Sequence, residues 1–439
     1  MTGLLTTCGC EFQDWSAAYR VFSKDRLPTD GMFAVIRRGV LATLPPGAPL
    51  CVALDDSLLP KSGTHIPGVA WRRDPLGPPF QVNFVRAQRF LQLSASVPLS
   101  EGAYRMVPIG FHHAPSLPKP SSKATPAVVS EYRKAARLKR LPLVAAQQIA
   151  ALRQSLDAEP NGAQRPLHVC VDGGYTNETV LKKLPARTVL IGRVRKDAKL
   201  NFLPPPTAGA PRRGRRQQYG ALAPTPEQIR TDETIPWTTV EVRISGAPHE
   251  MRVKRLGPVL WRTAGLAHLL QVVVIAPLSY RLRKNSKQLY RRPAFLICTE
   301  PELDLRSLIQ DYIQRCDIEL NFREEKTLLG VGQAQVRNPH SVEAVPALQV
   351  ASYSMLLLAA LPAGDSRNNA DLVPSPKWNN SSPPPRFSTA RAINQLRAEL
   401  WGRALGVTNF SDFVAERTPT AKSQKFTPDL SSAVLYAVN

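Results

Sequence analysis

Residues 167–194 restrict the fold more than any other stretch of this chain. The run Leu167 to Asp172 (LHVCVD) is short and apolar up to its closing acid, as a strand buried on both faces must be. Gly173 and Gly174 turn the chain, ETVLKKL (178–184) follows with helical composition, and TVLIGRV (188–194) returns to buried-strand character. Strand, helix and strand in so short a span form a parallel βαβ unit, which belongs to an α/β sheet. Asp172 then stands at the carboxyl end of its strand, where α/β sheets place their sites.

A second run repeats this arrangement. Leu50 to Asp56 (LCVALDD) is a buried strand closing on two acids, and Ser57 to Gly63 leads the chain away. Strand alternation makes Asp55 a serious rival to Asp56 as the strand-end group. Between the two runs, residues 79–99 and 104–113 read as further strands. Residues 130–158 read as a long polar helix interrupted at Pro142, and His112 and His113 as a structural or solvated pair.

The stretch Asp304 to Gly330 has no Gly or Pro before its last residue and is rich in Leu, Ile, Arg, Gln and Glu, which predicts one helix. Taking Tyr312 as zero at about 100° per residue, Arg315 falls near roughly 300°, Glu319 near roughly 340°, Lys326 near roughly 320° and Arg323 near roughly 20°. Ile309, Ile313, Cys316 and Leu320 form an apolar stripe beside them, the face expected to pack on a sheet. Such a helix offers one carboxylate among basic groups, an arrangement suited to a metal-binding acid next to phosphate. Ordinary solvated i,i+4 pairs produce similar spacings, so the rest of the chain has to supply the partner acids.

The pattern Tyr312-x2-Arg315-x3-Glu319-x6-Lys326 resembles the Y-R-E-K signature of the DDE transposases of bacterial insertion sequences, in the insertion-sequence-four superfamily. Asp172-Gly173-x-Tyr175-x-Asn177, followed by Arg193-x-Arg195-Lys196-Asp197-Ala198, is similar to the second-Asp region of the same group. The resemblance covers roughly residues 50 to 360 and departs at Cys316, where relatives often carry Trp. It implies an RNase H-like α/β fold: a mixed sheet flanked by helices, whose first three strands form an antiparallel meander, interrupted by a β-rich basic insertion. It implies Asp56, Asp172 and Glu319 as catalytic, metal-binding acids, with Asp56 preferred to Asp55 because relatives follow this acid with Thr or Ser. Two Mg²⁺ ions, replaceable by Mn²⁺, are the implied cofactors. Tyr312, Arg315, Lys326, Arg323 and Lys196 are the implied phosphate contacts, and Trp237 or Trp261 would meet an unstacked base. The implied activity is cut-and-paste DNA transposition by a homodimer, which cleaves at terminal inverted repeats and joins 3′ ends to target DNA. A nuclease that cuts without joining, and a DNA-binding protein that no longer cuts, are the alternatives.

Charge agrees with a polyanionic partner. Among 439 residues, 57 basic side chains face 34 acidic ones, a formal charge of +23 that solubility does not need. No strongly basic amphipathic helix marks either terminus, which turns the expectation from membrane surfaces to double-stranded DNA. Arg212, Arg213, Arg215 and Arg216 follow a Pro-rich run and are further expected phosphate contacts. The six cysteines sit mostly in apolar runs and no second Cys/His pair answers Cys8 and Cys10, so reduced thiols in a bacterial cytoplasm are expected, not zinc. No signal peptide is expected, and the uncharged stretch Ala344 to Gly364 reads as a buried core helix. The expected organisation is an N-terminal helical segment (1–48), a catalytic domain in two parts (49–202 and 269–365), the basic insertion (203–268), and a linker with tail (366–439).

Overall fold

The computed structural model describes residues 14–404, except 75, 76, 79, 100, 101, 206–216, 245, 283, 284 and 366–387. Helices α1 (Ser16–Ser23) and α2 (Thr29–Thr43) precede strands β1 (Leu50–Pro60), β2 (Ala70–Arg73), β3 (Phe84–Pro98) and β4 (Tyr104–His113). Next come α3 (Pro126–Leu138), α4 (Leu141–Asp157), β5 (Leu167–Val171), α5 (Glu178–Lys182) and β6 (Thr188–Arg193). Short β7 (Asn201–Phe202) and α6 (Pro226–Thr231) lead to a hairpin of β8 (Thr238–Ile244) and β9 (Ala247–Leu260), and then to β10 (Leu270–Ile275). A small ribbon of β11 (Ser279–Tyr280) and β12 (Leu289–Tyr290) precedes β13 (Ala294–Cys298). The described chain closes with α7 (Leu305–Gln314), α8 (Asp317–Leu328), α9 (Ser341–Asp365) and α10 (Thr389–Ala404).

Local chemistry sets several of these boundaries. The expected break at Pro142 is real: α3 ends and α4 begins afresh with Pro142 in its first turn, where a missing N–H costs nothing. Asn177 accepts from the backbone N–H groups of Thr179 and Val180 and so starts α5 directly after the Asp172 turn. Thr225 and Gln228 form a reciprocal capping box around Pro226 to start α6.

β1 pairs antiparallel with β3 and parallel with β5, and β5 pairs parallel with β6. β4 lies antiparallel on the other side of β3, which completes the expected meander as β1, β3 and β4. The result is the mixed sheet, flanked by helices, of an RNase H-like fold. The β-rich segment does not form a layer of its own. β13 pairs antiparallel with β6, β10 with β13 and β9 with β10, so the hairpin β8–β9 lengthens the central sheet.

Both faces of the central strands β1, β5, β10 and β13 are covered, which explains their unbroken apolar runs. Leu50, Val52 and Leu54 of β1 join Val169 and Val171 of β5 in a core with α2, α4 and α9. Cys51 and Cys170 turn the other way, into a core with Leu308, Ile309 and Tyr312 of α7. Ala53 meets Ile318 of α8 and Met106 on that same side. His168 of β5 contacts Asp311 of α7 at 2.7 Å. Gln310 of α7 accepts from Arg243 N–H at 2.8 Å and donates to its carbonyl at 3.0 Å, tying α7 to β8. Over Ser341–Leu361, α9 is long and apolar enough to cross a membrane, yet it lies against β4 and α2 with Val350, Ala351 and Tyr353 wholly buried.

The single helix expected over 304–330 is in fact two. Asp304 caps α7 by accepting from Ser307 N–H at 3.0 Å, but the α pattern lapses at Arg315 and Cys316. There Cys316 donates to Ile313, Ile318 to Arg315, and Glu319 to Cys316, each a tighter i→i−3 bond. Residues in such a turn advance by about 120° each, so everything beyond it is rotated relative to Tyr312. The buried set is therefore Leu308, Ile309, Tyr312, Arg315, Ile318, Asn321 and Glu325, while Cys316 of the expected stripe is exposed.

Candidate active site

The carboxyl ends of β1 and β5 lie side by side. In their parallel register Cys51 meets His168 and Ala53 meets Cys170, which places Asp55 beside Asp172 one step further along. Alternation turns Asp55 to the face of Cys51 and Ala53, which α7 and α8 cover. On β3, Gln92 stands opposite Asp55 and donates to Glu325 of α8 at 2.9 Å, which agrees with that facing.

Asp56, ranked ahead of Asp55 by the resemblance, turns to the opposite face and is fully engaged there. Its Oδ1 accepts from the Tyr175 hydroxyl at 2.6 Å, and its Oδ2 lies 3.2 Å from Arg89 Nε. Burial, with Asp56 next in weight, pushes the Tyr175 phenol far up and keeps it a donor. Asp55 instead pairs with Arg315, Nη1 to Oδ2 at 3.1 Å, and accepts from the Asp56 N–H at 2.9 Å. Burial pushes Asp55 up to about 6, with Arg315 pulling it down and Asp172 pushing it up. Asp172 is fixed by its own turn: Oδ1 accepts from Gly174 N–H at 2.8 Å and from Tyr175 N–H at 3.3 Å.

The remaining expected residues divide by exposure. Tyr312 is buried, with the Arg315 guanidinium 5.7 Å from its ring centre, so this pair supports the sheet end from inside. Glu319 is exposed in the first turn of α8 and Arg323 is exposed in its middle. Lys326 is half-buried, its ammonium 6.0 Å from the Phe322 ring centre. Among the described residues, no three His, Cys, Asp or Glu side chains converge closely enough to hold a metal ion. Asp55 and Asp172 nevertheless fit one: they are hard oxygen donors held side by side, with a guanidinium already against Asp55.

The far side of α8 carries a polar cluster, which the helical pattern did not reveal. One oxygen of Glu324 receives Arg105, Tyr353 and Thr389, and Asn321 donates to Tyr353 and to the Met106 carbonyl at 3.0 Å each. Thr389 opens α10, so this cluster joins α8, β4, α9 and α10. Glu325 is almost wholly buried, and burial pushes it up to about 8, with the bond from Gln92 opposing.

A groove of about 1850 Å³ opens beside Gly173 and Gly174, at the Asp172 turn. Nine basic and three acidic side chains line it, Lys196 among them, so its field favours a polyanion. Trp237 and Trp261 pack partly buried against the main core, and Trp237 also carries Arg252 and Lys254 over its ring. Trp261 also lines the basic groove. Arg37 of α2 donates to the Ile109 carbonyl at 3.2 Å. Arg212, Arg213, Arg215, Arg216, Cys8 and Cys10 lie outside the described residues.

A family model described as DDE superfamily endonuclease matches residues 2–265, which include both strand-end acids and stop short of α7 and α8. No curated protein matches the chain.

Proposed function

Because the chain belongs to the DDE superfamily endonuclease family, we propose that it is a transposase that cleaves DNA at the ends of an insertion sequence and joins the freed 3′ ends to target DNA. The observation that carries this reading is the pairing of Asp55 with Asp172 at the ends of parallel β1 and β5, under the helix pair that bears Arg315 and Glu319. In this reading Asp55, Asp172 and Glu319 are the acidic set, and Asp56 supports them from the other face through Tyr175 and Arg89. A divalent cation, Mg²⁺ or Mn²⁺ and in the full form two ions, supplies activation of the attacking hydroxyl and stabilisation of the leaving oxygen when bound.

The chain's own residues orient the substrate. Asp172 is held by two backbone N–H groups and Asp55 by the strand, so both present fixed oxygens. Arg315 stays paired with Asp55, exposed Arg323 and half-buried Lys326 of α8 supply cations for phosphates flanking the scissile bond, and the basic groove with Lys196 takes the duplex beyond it. Because two DNA ends have to be held at once, the acting form is a homodimer on DNA.

The test is end-labelled DNA flanking the gene, incubated with purified protein and Mg²⁺ or Mn²⁺. Wild type and Asp56→Asn should cut at the repeat ends, while Asp55→Asn, Asp172→Asn and Glu319→Gln should not. Cutting by all five proteins would remove the acidic set. Cutting by Asp55→Asn with none by Asp56→Asn would return the first role to Asp56. Cleavage without joined products would reduce the reading to an endonuclease.

A further inference from the structure

One outward face of the β2–β3 hairpin alternates aromatic rings with guanidinium groups. In its antiparallel register Trp71 stands opposite Arg86, and Arg73 opposite Phe84. Opposed residues share a face, and alternation sends Arg72 and Val85 to the other one. Trp71 is 68% exposed and Phe84 59%. The Arg86 guanidinium lies 5.9 Å from the centre of the Trp71 ring and donates to the Gly63 carbonyl at 3.2 Å, so ring and cation are held together. Arg73 is exposed beside them, and no acid belongs to this group of four.

We propose that this face binds unpaired bases of the DNA on which the enzyme acts. The chemistry selects that occupant. An exposed ring stacks on any nucleobase, whereas a guanidinium beside it meets the phosphate of the same nucleotide. Bases inside a duplex are already stacked on each other and offer only their edges. A second copy of the chain fits poorly, because docking this face on itself would bring Arg73 and Arg86 against their own duplicates. The hairpin is also continuous with the candidate site: along β3 the face that carries Phe84 and Arg86 runs on to Gln92, which stands opposite Asp55. Those eight residues at about 3.4 Å each make roughly 27 Å of strand, which puts the platform on the Asp55 face, in the path of DNA held at the carboxylates.

The inference rests on the proposed DNA chemistry, so binding and cleavage are measured separately. Fluorescence anisotropy in EDTA would compare a labelled blunt duplex with the same duplex carrying an unpaired 3′ extension, using the full chain. The proteins are wild type, Trp71→Ala, Phe84→Ala and Trp71→Phe, all changed at exposed positions. Each alanine variant should weaken binding of the extended duplex by about five- to a hundredfold, the span of base–aromatic stacking, and leave the blunt duplex unchanged. Trp71→Phe should restore most of the loss. Unchanged binding of the extended duplex by both alanine variants overturns the proposal, as does an equal loss on both DNAs. Loss of self-association in sedimentation, with DNA binding intact, overturns it in favour of a second copy. Cleavage by wild type with Mg²⁺ reports on the functional reading alone: cutting with unaltered binding by the variants sinks the platform only, and stacking without cutting sinks the catalysis only.

Discussion

Replacing Glu325 with Gln should make the protein more stable, and increasingly so as pH rises from about 4.5 to 8. The carboxyl is almost wholly buried under α8, its Oε1 accepting from Gln92 at 2.9 Å, and burial pushes it from 4.5 up to about 8. In the unfolded chain it ionises near 4.5, so between these values the unfolded state has released a proton that the native state keeps. Stability from this group is therefore fully present below about 4.5 and is lost as pH rises, by about 1.4 kcal/mol per pH unit, until about 8. The whole loss is about 5 kcal/mol, of which about 3 kcal/mol has occurred at pH 7; relaxation of the site makes both figures ceilings. Glutamine has the same shape and an oxygen for Gln92, and it carries no charge in either state. Urea unfolding of wild type and Glu325→Gln at pH 5, 6, 7 and 8 would give the difference curve. It should climb with pH and then flatten. Parallel curves, or a glutamine variant less stable by a constant amount at every pH, would refute the argument. Cleavage should survive, because Glu325 lies outside the proposed acidic set.

Three other perturbations separate support from chemistry. Tyr175→Phe removes the 2.6 Å bond to Asp56 and should cost about 1.5–3 kcal/mol in denaturant unfolding, with metal-dependent cleavage retained. Arg105→Ala leaves Glu324 without its buried cation and should cost about 3–5 kcal/mol, read as a lower unfolding midpoint; an unchanged midpoint would contradict the pairing. Gly192→Ala would place a methyl 2.2 Å from the Thr176 hydroxyl, which donates to the Asp172 carbonyl, and should cost about 1–3 kcal/mol. Adding Thr176→Ala should recover part of that loss, whereas strict additivity would show that the two side chains do not meet.

Most of the sheet was legible because its central strands are buried on both faces. LCVALDD and LHVCVD announce themselves as apolar runs, and alternation within LCVALDD already put Asp55 with Cys51 and Ala53. The resemblance pointed to Asp56 from the serine that follows it, a cue blind to the direction of the side chain. The break at Arg315 and Cys316 left no mark because both residues keep helical dihedrals and only the bonding partner changes. The polar contacts of Asn321, Glu324 and Glu325 were hidden for a related reason: their partners Arg105, Gln92, Tyr353 and Thr389 are remote in sequence. Tryptophan alone does not disclose exposure, so Trp237 and Trp261 drew notice while Trp71 did not.

The extension of the central sheet by β13, β10 and β9 also governs how the chain can mature on a ribosome. β6 needs β13 along its outer edge, and that partner begins about a hundred residues later, at Ala294. Until Ala294–Cys298 has emerged, the β6 edge displays unpaired backbone groups, and the cover supplied by α7 and α8 has yet to be made. A gene fragment ending between β10 and β13 would thus encode a sheet with two open edges, prone to join its neighbours instead of folding. Nascent chains stalled in that interval should depend on chaperones, and those released beyond α8 should not.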